Sequence, residues 1–196
     1  MKKIVVFCGS SLGFNPIYKQ VAIELGNEFV KRDITLVYGG GKIGIMGVLA
    51  ETILSKGGKV IGVIPKLLEK EEVVYSDVSE LIVTKTMSER KVIMSQLADG
   101  YISLPGGFGT LDELFEGLTL GQLHIEQKPN GLLNVNSFYD YILKQLDVMV
   151  KEGYLKPSNR EMLLVGESVS ALMQKMIDYK APKKTHVINK VIKHDH

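Results

Sequence analysis

Near its start the chain reads Lys3-Ile4-Val5-Val6-Phe7-Cys8 and passes directly into Gly9-Ser10-Ser11. The apolar run does not alternate with polar residues, which predicts a β-strand that is covered on both faces. It is too short to be the hydrophobic region of a secretory signal peptide. Strands of this kind occur in parallel sheets that carry helices on both sides.

Further along the chain, strand-like apolar runs alternate with helix-like segments. Because parallel strands need crossover helices, this alternation predicts an α/β protein with one doubly wound parallel sheet and helices on both faces. The chain shows no break in composition and no internal repeat. We therefore expect one domain over residues 1–180, followed by a basic C-terminal tail over residues 181–196. The later strands are expected at residues 34–38, 59–64, 80–84, 101–104, 131–135 and 162–165.

Capping residues mark the starts of three helices. Asn15-Pro16 supplies an N-cap and a first-turn proline. The segments 86–89 (Thr-Met-Ser-Glu) and 110–113 (Thr-Leu-Asp-Glu) both have the form of a capping box, in which a hydroxyl and a carboxylate satisfy free N–H groups of the first turn. We therefore expect helices that begin after Asn15, at Thr86 and at Thr110.

The charge balance argues against two classes of partner. The 196 residues include 24 basic and 22 acidic side chains, for a formal net charge of +2. The excess lies in the tail, where four lysines stand against one aspartate, and residues 1–180 carry no basic surplus. We therefore do not expect the body to bind nucleic acid. No apolar run approaches the roughly 20 residues that cross a bilayer, so we expect no membrane partner either.

The cysteine and histidine content is low. Cys8 is the only cysteine, so no internal disulfide can form, and the chain suits a reducing cytoplasm. His124 is the one histidine outside the tail. Without a cluster of cysteine and histidine at ligand spacing, we expect no metal site.

Glycines cluster where the first, second and fifth predicted strands end. The three clusters are Gly9 with Gly13, Gly39 to Gly47, and Gly106 to Gly109. Ligands of doubly wound sheets bind at the carboxyl ends of the strands. Glycine permits a positive φ and lets backbone N–H groups approach a ligand closely, and a helix that starts there favours an anion such as phosphate.

The second cluster does not match a known phosphate loop. A P-loop would need Ser or Thr after Gly41-Lys42, but Ile43 follows. Residues 39–44 match G-x-G-x-x-G, yet Val-Ile-Pro at 63–65 stands where a dinucleotide site places its ribose-binding acid. The absence of this acid argues against NAD as the ligand. Tight packing of a helix against a strand and a role in ligand binding both remain open for these glycines.

Residues 105–113 (Pro-Gly-Gly-Phe-Gly-Thr-Leu-Asp-Glu) form the richest loop. Within nine residues they combine glycines, which leave the backbone accessible, with a helix start, a hydroxyl and a carboxylate. The position after a buried strand favours a bound phosphate beside Glu113, whose carboxylate should stay ionised near a helix N-terminus. The alternative is that Thr110 and Glu113 only cap each other.

A third candidate element is the helix that carries Met87, Arg90, Lys91 and Met94, which share one face. Only three of the 24 basic residues are arginine, so an arginine at this place suggests a need for its planar fork of donors. The alternative is that this face of the helix is exposed to solvent, with the apolar parts of the Arg90 and Lys91 side chains lying along the protein surface and their charged ends in water.

Taken together, these residues resemble the LONELY GUY family, the cytokinin riboside 5′-monophosphate phosphoribohydrolases, long described as lysine decarboxylases. The family hallmark PGGxGTxxE matches residues 105–113 completely, and the upstream Arg-Lys pair corresponds to Arg90-Lys91. The resemblance covers about residues 3–180, and it extends to residues 8–11, 38–41, 44, 46–47 and 62–65.

The resemblance implies a Rossmann-like fold and a homodimer with its site near the interface. It implies cleavage of the N-glycosidic bond of an adenine-type nucleoside 5′-monophosphate, without cofactor or metal. Carried over by position, Arg90 and Glu113 would be the catalytic pair. The implied substrate-binding residues are Met87, Lys91, Gly106, Gly107, Gly109, Thr110, Thr119, Glu72, Gly9, Ser10 and Gly40.

The chain departs from the family pattern at two places. Asp112 replaces a glutamate, and Leu120-Gly121 replaces a Trp-Ala pair common in the plant enzymes. The lost indole bears on packing around the base, so the substituent preferred on adenine N6 stays open.

Two other functions compete with hydrolysis. A non-catalytic carrier or sensor of a nucleotide or of the molybdenum cofactor could share the fold, although the pairing of Arg90 with Glu113 argues against a pure binder. Lysine decarboxylation would need pyridoxal phosphate on a lysine such as Lys42 or Lys91, and neither has a recognisable partner for the pyridine nitrogen.

Overall fold

The structure is a computed structural model, and it describes residues 1–68 and 74–182. Its described strands form one parallel sheet in the order β4-β3-β2-β1-β5-β6-β7. This confirms the predicted parallel α/β sheet. The strands are β1 (Lys3–Phe7), β2 (Thr35–Tyr38), β3 (Val60–Pro65), β4 (Glu80–Thr84), β5 (Gly100–Ser103), β6 (Asn130–Leu133) and β7 (Leu163–Gly166).

Helices connect successive strands, except that between β3 and β4 the described residues contain only a 3₁₀ turn. They are α1 (Ile17–Lys31), α2 (Gly44–Leu54), α3 (Met87–Leu97), α4 (Phe108–Gln122), α5 (Asp140–Lys151), the short α6 (Pro157–Arg160) and α7 (Val169–Asp178). Two 3₁₀ turns lie at Lys66–Leu68 and Val135–Ser137. None of the helices in the described part of the chain has the length and apolar character needed to traverse a lipid bilayer.

The first strand is covered on both faces, as its sequence predicts. Ile4 and Val6 pack into the core cluster that includes the buried residues of α1, α2 and α7. Val5 and Phe7 point the other way and pack with Met94 of α3. Successive side chains of a strand alternate between faces, so an unbroken apolar run is the expected sequence of a strand with a core on each side.

Two of the three predicted helix starts are confirmed and one is wrong. Asn15 Oδ1 accepts the N–H of Ile17 at 3.0 Å, and Thr86 Oγ1 accepts the N–H of Glu89 at 3.1 Å. Helix α4, however, begins at Phe108 after an extended Gly107, two residues before the predicted box. Thr110 therefore lies inside the first turn, and the N-cap residue of α4 is Gly107, which has no side chain to cap the helix.

The topology indicates where a ligand should bind. From β1 the chain moves outward through β2, β3 and β4, and it then crosses to β5 on the other side of β1. This reversal is the switch point of a doubly wound sheet, and crevices open there at the carboxyl ends of the strands. The ends of β1, β2 and β5 carry the three predicted glycine clusters.

Candidate functional site

A cleft of about 300 Å³ opens at this edge of the sheet. It is bounded by the end of β1, by one face of α3 and by the first turns of α4. Gly39, Met46 and Leu68 close its far side. The end of β1 contributes Val6 to Ser10. Helix α3 contributes Met87, Arg90 and Met94, and the start of α4 contributes Gly107 to Thr110 and Glu113.

Arg90 is the positively charged residue among the lining residues of this cleft. It lies on the inner face of α3 and is only 6% exposed. Its Nη1 is 3.9 Å from Met87 Sδ, and its buried Nε has no hydrogen-bond partner among the described residues. A buried charge is costly unless it is paired, so a guanidinium held in this way favours an anionic or electron-rich ligand.

The start of α4 forms the opposite wall, where glycines leave the backbone without covering side chains. A β-carbon built on Gly107 or Gly109 would meet no atom of the described residues within 4 Å. The first N–H groups of a helix have no partner within it, and the N-cap residue of α4, Gly107, has no side chain that could satisfy them. This end of α4 is therefore suited to hold a phosphate group.

The neighbouring glycines have a packing role instead. Gly106 lies against Thr110 Oγ1, and a β-carbon on it would come within 2.1 Å of that oxygen. The N–H of Gly9 donates to the Pro105 carbonyl at 3.1 Å, which joins the loops after β1 and β5. Gly40 has φ +82°, and its carbonyl accepts the N–H of Tyr75 at 3.0 Å. Of the predicted binding residues, Gly106 and Gly40 shape the loops rather than line the cleft.

Glu113 lies about one turn into α4, half-buried, and lines the cleft beside Phe7. Burial, and secondarily the negative charge of Glu113, raise the pKa of the Cys8 thiol well above its ordinary value. Cys8 therefore stays protonated at neutral pH and does not supply a thiolate nucleophile. The structure thus brings Arg90 and Glu113 to one cleft, as predicted.

Two predicted binding residues do not line the cleft of this chain. The Lys91 ammonium lies 3.1 Å from Asp112 Oδ2 and 2.8 Å from Glu116 Oε2, between α3 and α4. Thr119 is exposed on α4 and lines a different cavity, with its hydroxyl donating to the Phe115 carbonyl at 2.7 Å. Each residue advances about 100° around a helix, which turns Lys91 away from Arg90 and Thr119 away from Glu113. Glu72 lies outside the described residues.

Part of the cleft wall carries no signal in the sequence. Met46 of α2, Leu68 after β3 and Phe108 of α4 complete the cleft. Met46 belongs to the stretch that resembles the family pattern, but nothing in the apolar side chains of Leu68 and Phe108 separates them from core residues until the topology is known. Among the residues that the structure describes, no group of three or more His, Cys, Asp or Glu side chains is arranged to hold a metal ion.

Comparison with known proteins places the chain in a family. The model of the family described as "Possible lysine decarboxylase" matches residues 46–176. The chain is 45% identical to cytokinin riboside 5′-monophosphate phosphoribohydrolase LOG1 of Arabidopsis thaliana, over 96% of this chain and 88% of that protein. It is 41% identical to LOG7 of the same plant, over 97% of this chain and 88% of that protein.

A solved structure shares the fold. The molybdenum cofactor carrier protein of Chlamydomonas reinhardtii superposes with a TM-score of 0.66, at 21% identity, over 88% of this chain and 93% of that one. This likeness concerns architecture alone. The sequence matches are closer and extend over nearly the whole chain. The chain belongs to the LONELY GUY family of phosphoribohydrolases.

Proposed function

We propose that this protein hydrolyses the N-glycosidic bond of adenine-type nucleoside 5′-monophosphates, either a cytokinin riboside 5′-monophosphate or AMP. The products are the free base and ribose 5-phosphate. The observation that carries the proposal is the buried, incompletely paired Arg90 in the same cleft as Glu113 and the uncapped start of α4. The phosphoribohydrolase names of the close relatives support it.

The phosphate is held by the first turn of α4. Backbone N–H groups at residues 107–110 have no intrahelical partners, and the helix dipole favours negative charge there. The phosphate takes no part in bond cleavage. Its binding energy fixes the position of the ribose, which lowers the barrier at the reacting carbon.

Glu113 lies one turn beyond this phosphate site. Cleavage of the C1′–N9 bond leaves positive, oxocarbenium-like character on the ribose. The carboxylate stabilises that charge and orients a water molecule for attack on C1′. The water supplies the new C1′–O bond and loses a proton, while the departing base takes the electron pair of the broken bond and gains a proton.

Arg90 acts on the other side of the bond. Its planar set of N–H donors stabilises the electron pair that collects on the departing base. Met46, Met87 and Met94 line the same region. Thioether side chains pack well against flat aromatic rings, so this wall suits a purine.

The decarboxylase named by the family model is disfavoured by the state of Lys91. A lysine that forms a Schiff base is typically activated by a lowered pKa. The hydrogen bond to Glu116 instead raises the pKa of Lys91, with Asp112 adding to the effect. Lys42, the other lysine considered, is exposed and lies 5.2 Å above the ring of Tyr75.

We also propose that the protein acts as a homodimer in the cytoplasm. Val92, Leu123 and Ile125 are 55%, 58% and 66% exposed along α3 and just beyond α4. Exposed apolar side chains, of which Val92 and Ile125 line one cavity, suit an interface between two copies. Light scattering during size-exclusion chromatography tests the dimer, and a monomeric mass would contradict it.

Chromatographic detection of free base tests the function. Purified protein is incubated separately with AMP and with N6-isopentenyl-AMP, beside Glu113→Gln and the control Glu24→Gln on the exposed side of α1. We expect base and ribose 5-phosphate from wild type and the control only. The ratio of the two rates reports the preference at N6.

Calorimetry on the same proteins separates the alternatives. Glu113→Gln should still bind nucleotide, since the phosphate site is formed by backbone. Binding to wild type without any cleavage would favour a carrier. Full turnover by Glu113→Gln would remove Glu113 from the mechanism.

A further inference from the structure

The three methionines that line the cleft differ in their exposure. Met94 is 1% exposed and Met46 is 6% exposed, so the surrounding core covers both side chains. Met87, the first residue of α3, is 43% exposed. A small oxidant in solution can therefore reach the thioether of Met87 more readily than the other two.

This exposed thioether contacts the guanidinium of Arg90. The two residues lie one turn apart on α3, and Arg90 Nη1 is 3.9 Å from Met87 Sδ. A thioether sulfur is only a weak hydrogen-bond acceptor, so it does not compete strongly with a ligand for the donors of Arg90. The buried Nε of Arg90 also lacks a hydrogen-bond partner among the described residues.

Oxidation would change this contact from weak to strong. When a hydroperoxide oxidises a thioether, its O–O bond breaks and one oxygen bonds to the sulfur, which loses two electrons. The other oxygen leaves as water or as an alcohol. The sulfoxide oxygen accepts hydrogen bonds well, and it would be attached to the atom that already contacts Arg90 Nη1. A hydrogen bond to a charged group typically changes an equilibrium by about tenfold to a hundredfold.

We propose that Met87 is a site of reversible oxidation, at which a hydroperoxide forms the sulfoxide and the sulfoxide oxygen binds Arg90 and withdraws it from the departing base. The inference rests on the proposed function, in which Arg90 stabilises that base. Methionine sulfoxide reductases reverse the modification. They release the oxygen as water while a dithiol is oxidised to a disulfide.

The first test compares peroxide treatment of wild type, Met87→Leu and the control Met149→Leu. Met149 is half-buried and lines a different cavity. Peptide mass spectrometry follows oxidation at each methionine, and each treated protein is compared with its own untreated kcat. Wild type and Met149→Leu should lose kcat by about tenfold or more, in step with oxidation of Met87. An equal loss in Met87→Leu, or full kcat in wild type with Met87 oxidised, would overturn the proposal.

Reversal of the inhibition distinguishes Met87 from Cys8, which also lines the cleft. Methionine sulfoxide is restored by its reductases, one for each epimer, whereas a sulfenic acid or disulfide of cysteine is reduced by a simple thiol. We expect kcat to recover when both reductases and dithiothreitol are added. Recovery with dithiothreitol alone would assign the inhibition to Cys8 and overturn the proposal.

The melting temperature tests the contact with Arg90 without using turnover. In wild type, oxidation of Met87 should leave the melting temperature unchanged or raise it, because the new oxygen binds a buried cation. In Arg90→Met the same oxidation should lower it, because the oxygen has no guanidinium to bind. Equal shifts in the two proteins would overturn the proposed contact. Absence of turnover by untreated wild type would instead reject the proposed function, and the melting comparison would still decide the contact.

Discussion

Gly39, just beyond the end of β2, lies directly against the guanidinium of Arg90. A β-carbon on Gly39 would come within 2.0 Å of Arg90 Nη2 and 3.1 Å of Met46 Sδ. No side chain fits there without displacing the arginine. The glycine loop after β2 therefore supports the site by making room for Arg90, and its packing role and its functional role are the same.

We predict that Gly39→Ala lowers kcat/KM about 100-fold, because the added methyl group pushes Arg90 out of position. Steady-state kinetics measure the effect. Gly57→Ala is the control for lost stability alone. Gly57 has φ +75°, and a β-carbon added to it would meet none of the described atoms within 4 Å, so alanine should cost about 1 kcal/mol of stability without changing kcat/KM. Equal kinetics in both variants would contradict the prediction.

We predict that Arg90→Met abolishes turnover without lowering the free energy of unfolding by more than about 1 kcal/mol. The buried Nε lacks a partner among the described residues, so replacing the cation by an apolar side chain removes a desolvation cost. Chemical denaturation and the base-release assay measure the two quantities. Arg90→Lys should also be inactive, because an ammonium lacks the planar fork. A large loss of stability in Arg90→Met would show that Arg90 holds the fold together.

The fold can be predicted from the sequence because each element has a local signal. The unbroken apolar run of β1 predicts a core on both faces, and the capping residue Thr86 predicts the start of α3. The predicted start of α4 is wrong because Thr110 and Glu113 satisfy the spacing of a capping box. The extended Gly107 begins the helix earlier, which sequence spacing does not reveal.

The site is only partly predictable, for a geometric reason. Arg90 and Glu113 can be identified because an arginine and a carboxylate stand out in their segments. Lys91 is predicted in the same pocket because it is adjacent to Arg90 and matches the family pattern, yet a rotation of about 100° per residue carries it to the other side of α3. Its partner Glu116 gives no separate signal in the sequence.

We predict that Asp99→Asn destabilises the protein at neutral pH but not in acid. Asp99 Oδ2 accepts the backbone N–H groups of Lys2 at 2.5 Å and Lys3 at 2.9 Å, and these bonds lower its pKa. A lowered pKa contributes stability above the ordinary value of 3.8, and that stability is lost as the pH falls through the native pKa.

Thermal unfolding at several pH values checks this prediction. Because Asp99 is exposed, we expect the difference from wild type to be only about 1 kcal/mol at pH 7. It should shrink toward zero well below the ordinary pKa. Asp33→Asn is the matched control, since the exposed Asp33 carboxylate lies 3.4 Å from the Lys2 ammonium, which is a side-chain partner and not a backbone N–H group. If the stability difference between Asp99→Asn and wild type persisted unchanged in acid, it would not come from the ionised Asp99 carboxylate.

We predict opposite effects on stability for alanine at Gly109 and at Gly106, two glycines near the start of α4. A β-carbon on Gly109 meets no atom within 4 Å in the described part of the chain, and alanine favours a helix over glycine by up to about 1 kcal/mol. Gly109→Ala should therefore raise the melting temperature slightly. Its methyl group would occupy space that the proposed phosphate needs, so KM should rise at least tenfold.

Gly106→Ala should do the reverse, because its β-carbon would lie 2.1 Å from Thr110 Oγ1 and 2.9 Å from the Gly9 nitrogen. The loops after β1 and β5 would have to separate, so this variant should lose stability. Differential scanning calorimetry and steady-state kinetics on both proteins separate the two effects. If Gly109→Ala kept the wild-type KM, the phosphate could not bind against the first turn of α4, and the orientation of the nucleotide in the cleft would have to be reversed.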